Sequence, residues 1–151
     1  MNSSNDHGGP DADLTPLADC RTCRYRQSIL LMGRCTPGDT CVLVDSGRQI
    51  DRFFRNNPQY AIHYLADPFW ERRAIAVRYV PVDALTPLIS DPDEAVRRAV
   101  AYRLPREQLT ALMNDEDREV RITVADRLPL EKLEAMAADP DYLVRAYVAQ
   151  R

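Results

Sequence analysis

The chain has 151 residues, of which 45% are hydrophobic, and its formal net charge is −3. Acids and bases are nearly balanced, which disfavours binding to nucleic acid or to an anionic membrane, since both require a basic surface. No apolar run is long enough to span a membrane, and the first residues lack a secretory signal pattern. We therefore expect a cytoplasmic protein without a membrane partner.

Composition divides the chain into three parts. Residues 1–17 are polar and contain scattered Gly, Asp and Ser, which predicts a disordered tail. Residues 18–50 contain all four cysteines and are predicted to form a metal-binding module. Residues 51–151 are predicted to form a helical solenoid, beginning with a helix that Asn56-Asn57-Pro58 ends.

The cysteines follow the order C-x2-C-x11-C-x5-C. Disulfides are disfavoured because no secretory signal accompanies them. A four-cysteine zinc site usually has two short knuckles, and the gap from Cys35 to Cys41 is wide for the second one. An iron–sulfur cluster tolerates uneven spacing because its ligands bind at separate corners, although the bacterial ferredoxin spacing is absent. Spacing alone leaves both kinds of metal site open.

Four arginines lie among the cysteines: Arg21, Arg24, Arg26 and Arg34. Cationic neighbours lower the cost of holding the negative charge of a metal–thiolate centre. The alternative is that these side chains only face solvent, and the sequence supports both interpretations equally.

An aromatic stretch connects the cysteines to the solenoid. Its large apolar residues are Tyr60, Ile62, Tyr64, Phe69 and Trp70. We predict that they form the seam between module and solenoid rather than an open binding face. His63, in the same stretch, is expected at the surface.

Residues 67–151 repeat with a period of 24 residues. Each row begins with an aspartate: Asp67, Asp91, Asp115 and Asp139. An arginine follows six residues after each of them: Arg73, Arg97, Arg121 and Arg145. A fixed period of this length indicates a repeat architecture, in which neighbouring rows bury each other's apolar faces.

Each row predicts a longer helix, a sharp stop and a short helix. Apolar residues recur every four positions, as helices require: Val96, Val100 and Leu104. Pro105 stops this helix, and Arg106 to Met113 suits a short α or 3₁₀ helix. Asp91 is predicted to cap the longer helix, with Pro92 at its first position.

The Asp and Arg columns predict a ladder of hydrogen bonds between successive repeats rather than an anion-binding row. Other columns vary freely and are where a partner would be recognised. These columns are Ala74/Arg98/Ile122/Ala146 and Arg78/Tyr102/Asp126/Gln150.

The rows from Asp91 to Arg97 and from Leu104 to Leu109 resemble the leucine-rich repeat variant family. The resemblance covers residues 67–151, and residues 58–66 more weakly. It implies an all-α, right-handed superhelix of alternating α and 3₁₀ helices. Members with four cysteines before the repeats have a 4Fe-4S cluster, with zinc as the alternative here. The ligands implied by this resemblance are Cys20, Cys23, Cys35 and Cys41.

These features predict an iron–sulfur helical-repeat protein that serves as a redox or redox-sensing adaptor and binds another protein through its repeat surface. The resemblance adds an association with nitrogen fixation. The alternatives are a zinc-capped scaffold without a redox role and a nucleic-acid-binding solenoid. The sequence has no recognisable Ser/His/Asp set, phosphate-binding glycine loop or C-x3-C-x2-C motif, so we expect no enzymatic activity.

Overall fold

A computed structural model describes residues 14–151 of the chain. Most of the predicted disordered tail, residues 1–13, lies outside the described residues. Within residues 14–151 the regular elements are helices, and the β-type pairing is confined to an isolated bridge between Thr36 and Thr40. The all-α prediction is confirmed. None of the helices in this part of the chain is long and apolar enough to cross a membrane.

The α-helices alternate with short 3₁₀ helices. The α-helices are α1 (Gly47–Asn56), α2 (Trp70–Val77), α3 (Glu94–Arg103), α4 (Arg118–Arg127), α5 (Leu130–Leu133) and α6 (Tyr142–Ala149). The 3₁₀ helices are Pro58–Tyr64, Val82–Ser90, Arg106–Leu112 and Glu134–Met136. One π-helical turn, Arg26–Leu30, lies among the cysteines. The predicted sequence of longer helix, stop and short helix is therefore present in successive rows.

The stop between the two helices of a row comes from the residue before proline. Leu104 has the extended angles φ −55° and ψ 144°, because Pro105 excludes the helical conformation there. The 3₁₀ helix then begins at Arg106, and Leu109 within it is completely buried. Helices α2, α3, α4 and α6 pack against one another in chain order, which produces the predicted helical-repeat solenoid.

The helix caps lie two residues later than predicted. The Asp93 carboxylate accepts a hydrogen bond from the Ala95 backbone N–H at 2.8 Å, and α3 starts at Glu94. Asp91 instead accepts from the Asp93 N–H at 2.9 Å and from Arg73. The prediction that Asp91 caps the helix is wrong, because its carboxylate faces the arginine of the preceding repeat.

The predicted Asp–Arg ladder is confirmed. Arg97 donates from Nε and Nη2 to the Asp115 carboxylate of the next repeat, at 2.8 and 3.1 Å. Its Nη1 donates to the Asp91 carbonyl of its own repeat at 2.7 Å. Arg73 and Arg121 make the same two kinds of contact one repeat earlier and one repeat later. Each arginine thus joins the start of its own row to the start of the next.

A second arginine ladder, which the sequence analysis missed, runs in the opposite direction. Arg103 donates to the carbonyls of Val77 and Val80 in the preceding repeat, at 2.8 and 2.6 Å. Arg127 and Arg151 repeat this contact at intervals of one row. Cationic groups at a helix C-terminus satisfy carbonyls that lack intrahelical partners and interact favourably with the helix dipole.

The cysteine module and the solenoid share one hydrophobic core, in which Tyr25 and Ile29 pack together with residues of α1 and of the repeats. Helix α1 runs through the boundary predicted between residues 50 and 51 and packs against α2. Together with the 3₁₀ helix Pro58–Tyr64 it reproduces the alternation of a repeat. The weak half-repeat in the sequence therefore corresponds to the second half of an additional structural row.

The aromatic seam is confirmed in part. The Tyr25 and Tyr64 hydroxyls are 2.7 Å apart and buried, and the Tyr60 ring lies 5.4 Å from that of Tyr25. Ile62 and Trp70 were predicted to belong to this seam, but 45% and 43% of their surface is exposed. The prediction is wrong for these two residues. Both side chains are partly exposed to solvent, and Trp70 lines a surface groove together with Gly47 and Arg48.

Candidate metal centre

Two tight turns and the π-helical turn place the four cysteines. The Cys23 N–H donates to the Cys20 carbonyl at 3.3 Å, which closes the first turn. Gly33, directly after the π-helical turn, has a φ of +69°, a left-handed conformation that glycine tolerates best. The predicted turn before Cys41 is present, with Gly38 at φ +79° between Thr36 and Thr40.

All four predicted ligands line one small cavity. The other lining side chains are mostly apolar and carry no charge: Ala18, Tyr25, Leu30, Pro37, Thr40, Val42, Leu43 and Phe53. The cysteines are half-buried free thiols. Sulfur is the only strong metal donor that this lining offers, so the donor set fits a thiophilic centre such as an iron–sulfur cluster or zinc. Their role as ligands remains a prediction.

The sulfurs of the four cysteines could bind a single zinc ion or a cubane cluster. A tetrahedral zinc site needs its sulfurs around one atom, whereas a cubane cluster binds each thiolate at a separate iron. Metal and sulfide content distinguishes the two kinds of centre.

The thiols share one electrostatic environment. Burial, followed by the nearby Cys23, Cys41 and Cys20 sulfurs, raises the pKa of Cys35 to about 11. Burial and the neighbouring Cys23 and Cys41 also raise the pKa of Cys20. Several thiolates in this cavity require a compensating cation, since metal binding and thiol deprotonation are coupled.

Backbone groups also contact the site. The Tyr25 N–H donates to the Cys23 sulfur at 3.4 Å. Hydrogen bonds to ligand sulfurs are one of the factors that set the potential of an iron–sulfur cluster. The Cys41 N–H donates to the Gln49 carbonyl at 3.2 Å, which attaches the last cysteine to the first turn of α1.

The four arginines of the module are exposed and interact away from the thiols. Arg21 pairs with Asp19 at 3.0 Å, and the Arg24 guanidinium lies 5.4 Å from the centre of the Tyr25 ring. Arg26 and Arg34 donate to backbone carbonyls, at 3.4 Å each. The geometry matches the solvent-facing alternative. His63 is exposed, as predicted.

The sequence analysis missed three buried polar residues near the cysteines. Gln49 and Asn57 are completely buried and Arg72 is 7% exposed. Each donates hydrogen bonds to backbone carbonyls of the cysteine-bearing loops. The sequence does single out Arg72, because valine occupies the equivalent position in the following rows. No comparable sequence feature marks Gln49 and Asn57.

An open groove lies along the repeats. The two freely varying columns contribute Ala74, Arg98, Arg78 and Tyr102 to it. Trp70 and several acids complete the lining: Asp51, Glu71, Glu94, Asp117 and Glu119. The groove therefore combines exposed aromatic rings with charges of both signs.

Fold and site together define a helical-repeat protein with a four-thiol module built into one end of its core. The family model described as LRV protein FeS4 cluster matches residues 16–63, and the model described as leucine rich repeat variant matches residues 94–117 and 118–141. These segments make up more than half of the chain, which belongs to the leucine-rich repeat variant family.

Two known proteins are similar to this chain, and the description of the first names the same family. A solved structure described as a leucine-rich repeat variant with a novel repetitive protein structural motif is 81% identical, with a TM-score of 0.89 over 91% of this chain and 59% of its own. An uncharacterized 27.7 kDa protein in the nifB 3′ region of Rhodobacter capsulatus is 41% identical over 86 residues, 57% of this chain and 35% of the relative. The chain thus spans about a third of that relative's length.

Proposed function

We propose that this protein carries a 4Fe-4S cluster on Cys20, Cys23, Cys35 and Cys41 and acts as a redox or redox-sensing adaptor for another protein. The observation that carries the proposal is the convergence of all four thiols on one uncharged, largely apolar cavity. The match of this segment to the family's FeS4 model supports it independently.

The match of residues 16–63 to the FeS4 model favours a cluster over a single zinc ion, and the four-thiol lining of the cavity is compatible with it. When bound, such a cluster would supply one-electron chemistry. Tyr25 and Phe53 form the inner wall of the cavity and exclude water from that side. The Tyr25 N–H stabilises negative charge on the Cys23 sulfur. This environment suits electron exchange or redox sensing without a bound organic substrate.

The groove is the proposed docking surface for the partner protein, because it exposes Trp70 and Tyr102 together with charges of both signs. Aromatic residues are enriched in protein interfaces. We propose no enzymatic activity of the chain itself. The relative described by its position in the nifB 3′ region supports a proposed link to nitrogen fixation.

Anaerobic purification followed by iron, sulfide and zinc analysis tests the cluster. About four irons and four sulfides per chain are expected, with a brown colour that Cys41→Ala abolishes. Ser46→Ala, a nearby substitution outside the thiol set, should retain the colour and serves as the matched control. Colourless protein with one zinc per chain would overturn the redox proposal and favour the zinc-capped scaffold.

A further inference from the structure

We infer that Gln49, Asn57 and Arg72 are positioning residues that attach the cysteine loops to the helical stack and tie the metal centre to the repeats. The inference rests on the proposed function only in that the cysteines bind a metal. The contacts that carry it belong to the chain itself.

Each of the three side chains contacts the backbone near a different cysteine. Gln49 Nε2 donates to the Pro16 carbonyl at 2.9 Å, four residues before Cys20. Asn57 Nδ2 donates at 3.0 Å to the Arg34 carbonyl, directly before Cys35.

Arg72 acts on the loop that follows Cys41. Its Nε donates to the Val42 carbonyl at 2.7 Å, and its Nη2 donates to the Val44 carbonyl at 2.9 Å. Asp67 pairs with the same guanidinium at 2.8 Å, so its charge is compensated. The loop after the last cysteine is therefore fixed to α2 by a rigid planar donor.

The amide side chains are buried at an energetic cost. Gln49 Oε1 and Asn57 Oδ1 have no hydrogen-bond partner among the residues that the structure describes. An unsatisfied buried acceptor destabilises the folded chain, because its hydrogen bonds to water are lost without replacement. Apolar residues would avoid this cost but could not donate to the loops. The side-chain N–H donors of Gln49 and Asn57 are therefore what distinguishes them from apolar residues at these positions.

Arg72 likewise occupies a position where the other repeats have an apolar side chain. Its column contains Val96, Val120 and Val144 in the later rows, and all three are completely buried. Among the four 24-residue rows, the first has a guanidinium in place of this aliphatic side chain. The polar anchor thus occurs where the solenoid meets the cysteine loops.

The same helix connects the centre to the groove. Trp70, Glu71 and Ala74 of α2 line the groove, while Arg72 binds the loop after Cys41. A partner in the groove would therefore contact the helix that positions this loop. Displacement of α2 would change the surroundings of the metal centre.

Arg72→Val tests the inference, because it installs the residue of the later rows. We expect the helical circular dichroism to be retained. In metal-free protein, hydrogen exchange of residues 42–46 should accelerate. Loaded protein should release iron to a chelator about 10- to 100-fold faster, the range typical for loss of a supporting contact around a metal site. Its electron paramagnetic resonance spectrum after reduction should also change.

Val120→Ala is the matched control, since it weakens packing in the same column far from the cysteines. It should lower the unfolding midpoint and leave iron release and the resonance spectrum unchanged. Asn57→Ala provides a second test beside Cys35, should Arg72→Val fold poorly. If both variants had the hydrogen exchange, the iron release and the resonance spectrum of the wild type, the inference would be overturned. A wild-type protein that takes up no cluster would overturn the proposed function instead, and hydrogen exchange would still decide the positioning role.

Discussion

The Arg97–Asp115 pair allows the most quantitative test of the first arginine ladder. Both side chains are almost completely buried, with 8% and 6% of their surface exposed. The bidentate contact of 2.8 and 3.1 Å is supplemented by the 2.7 Å bond from Arg97 to the Asp91 carbonyl. Charge-assisted bidentate pairs of this kind are stronger than neutral hydrogen bonds.

Removal of Arg97 takes from the buried Asp115 carboxylate the guanidinium that it binds. Removal of the Asp115 charge leaves the buried Arg97 guanidinium with the longer contact to the exposed Glu116 carboxylate, at 3.5 Å. Arg97→Met keeps most of the aliphatic volume, and Asp115→Asn keeps an acceptor for the Asp117 N–H. Breaking a buried pair from one side costs about 3–5 kcal/mol, and we expect the first variant to lie in this range. The double variant is neutral at both positions, so it should lose about 1–3 kcal/mol less than the sum of the single variants.

Urea unfolding followed by circular dichroism measures these losses in free energy of unfolding. The control is Arg118→Ala, whose exposed side chain pairs with Glu119 at 3.4 Å and, across the repeat boundary, with Asp141 at 3.7 Å; loss of such surface pairs costs about 0–1 kcal/mol. Single variants that lose no more than this control, or losses that add in the double variant, would refute the ladder as a stabilising contact between repeats.

The remaining predictions concern the core and its link to the module. Leu109→Ala should cost about 2–5 kcal/mol in urea unfolding, because Leu109 is completely buried, and a loss below about 1 kcal/mol would contradict its place in the core. Cys35→Ala should lower the thermal midpoint of the helical signal in protein purified with its metal, because a metal that binds only the folded state stabilises it and the module shares a core with the repeats. Equal midpoints would show that the module unfolds independently.

The repeats could be predicted well because each row packs against its neighbours in the same way. Residues in equivalent environments recur at equivalent positions, so the columns of Asp91 and Arg97 revealed a contact before its geometry was known. The displaced cap shows the limit of this reasoning. Asp91 and Asp93 are both plausible capping residues in the sequence. In the structure Asp91 binds Arg73, and Asp93 caps the helix.

Contacts from side chains to backbone carbonyls were not predictable in the same way. The column of Arg103 holds arginine in three rows and Tyr79 in the first, and its acceptors are carbonyls, which every residue type provides. Gln49 and Asn57 likewise donate to carbonyls, and they lie before the first 24-residue sequence row at Asp67, so neither a partner residue nor a period marks them. The exposure of Trp70 was missed for a related reason, because an aromatic residue is compatible with both a core and a groove.

The opposite directions of the two arginine ladders have a consequence for how such chains evolve. The rows that begin at Asp91 and Asp115 each present a guanidinium and a carboxylate for the first ladder, and a guanidinium and carbonyls for the second. Duplication or deletion of one complete 24-residue unit would therefore recreate the same junction chemistry on both sides. A shift of even a few residues would break both ladders at once. Genetic changes in length should consequently be tolerated in whole rows, while the specialised row around Arg72 cannot be copied without a second module to receive it.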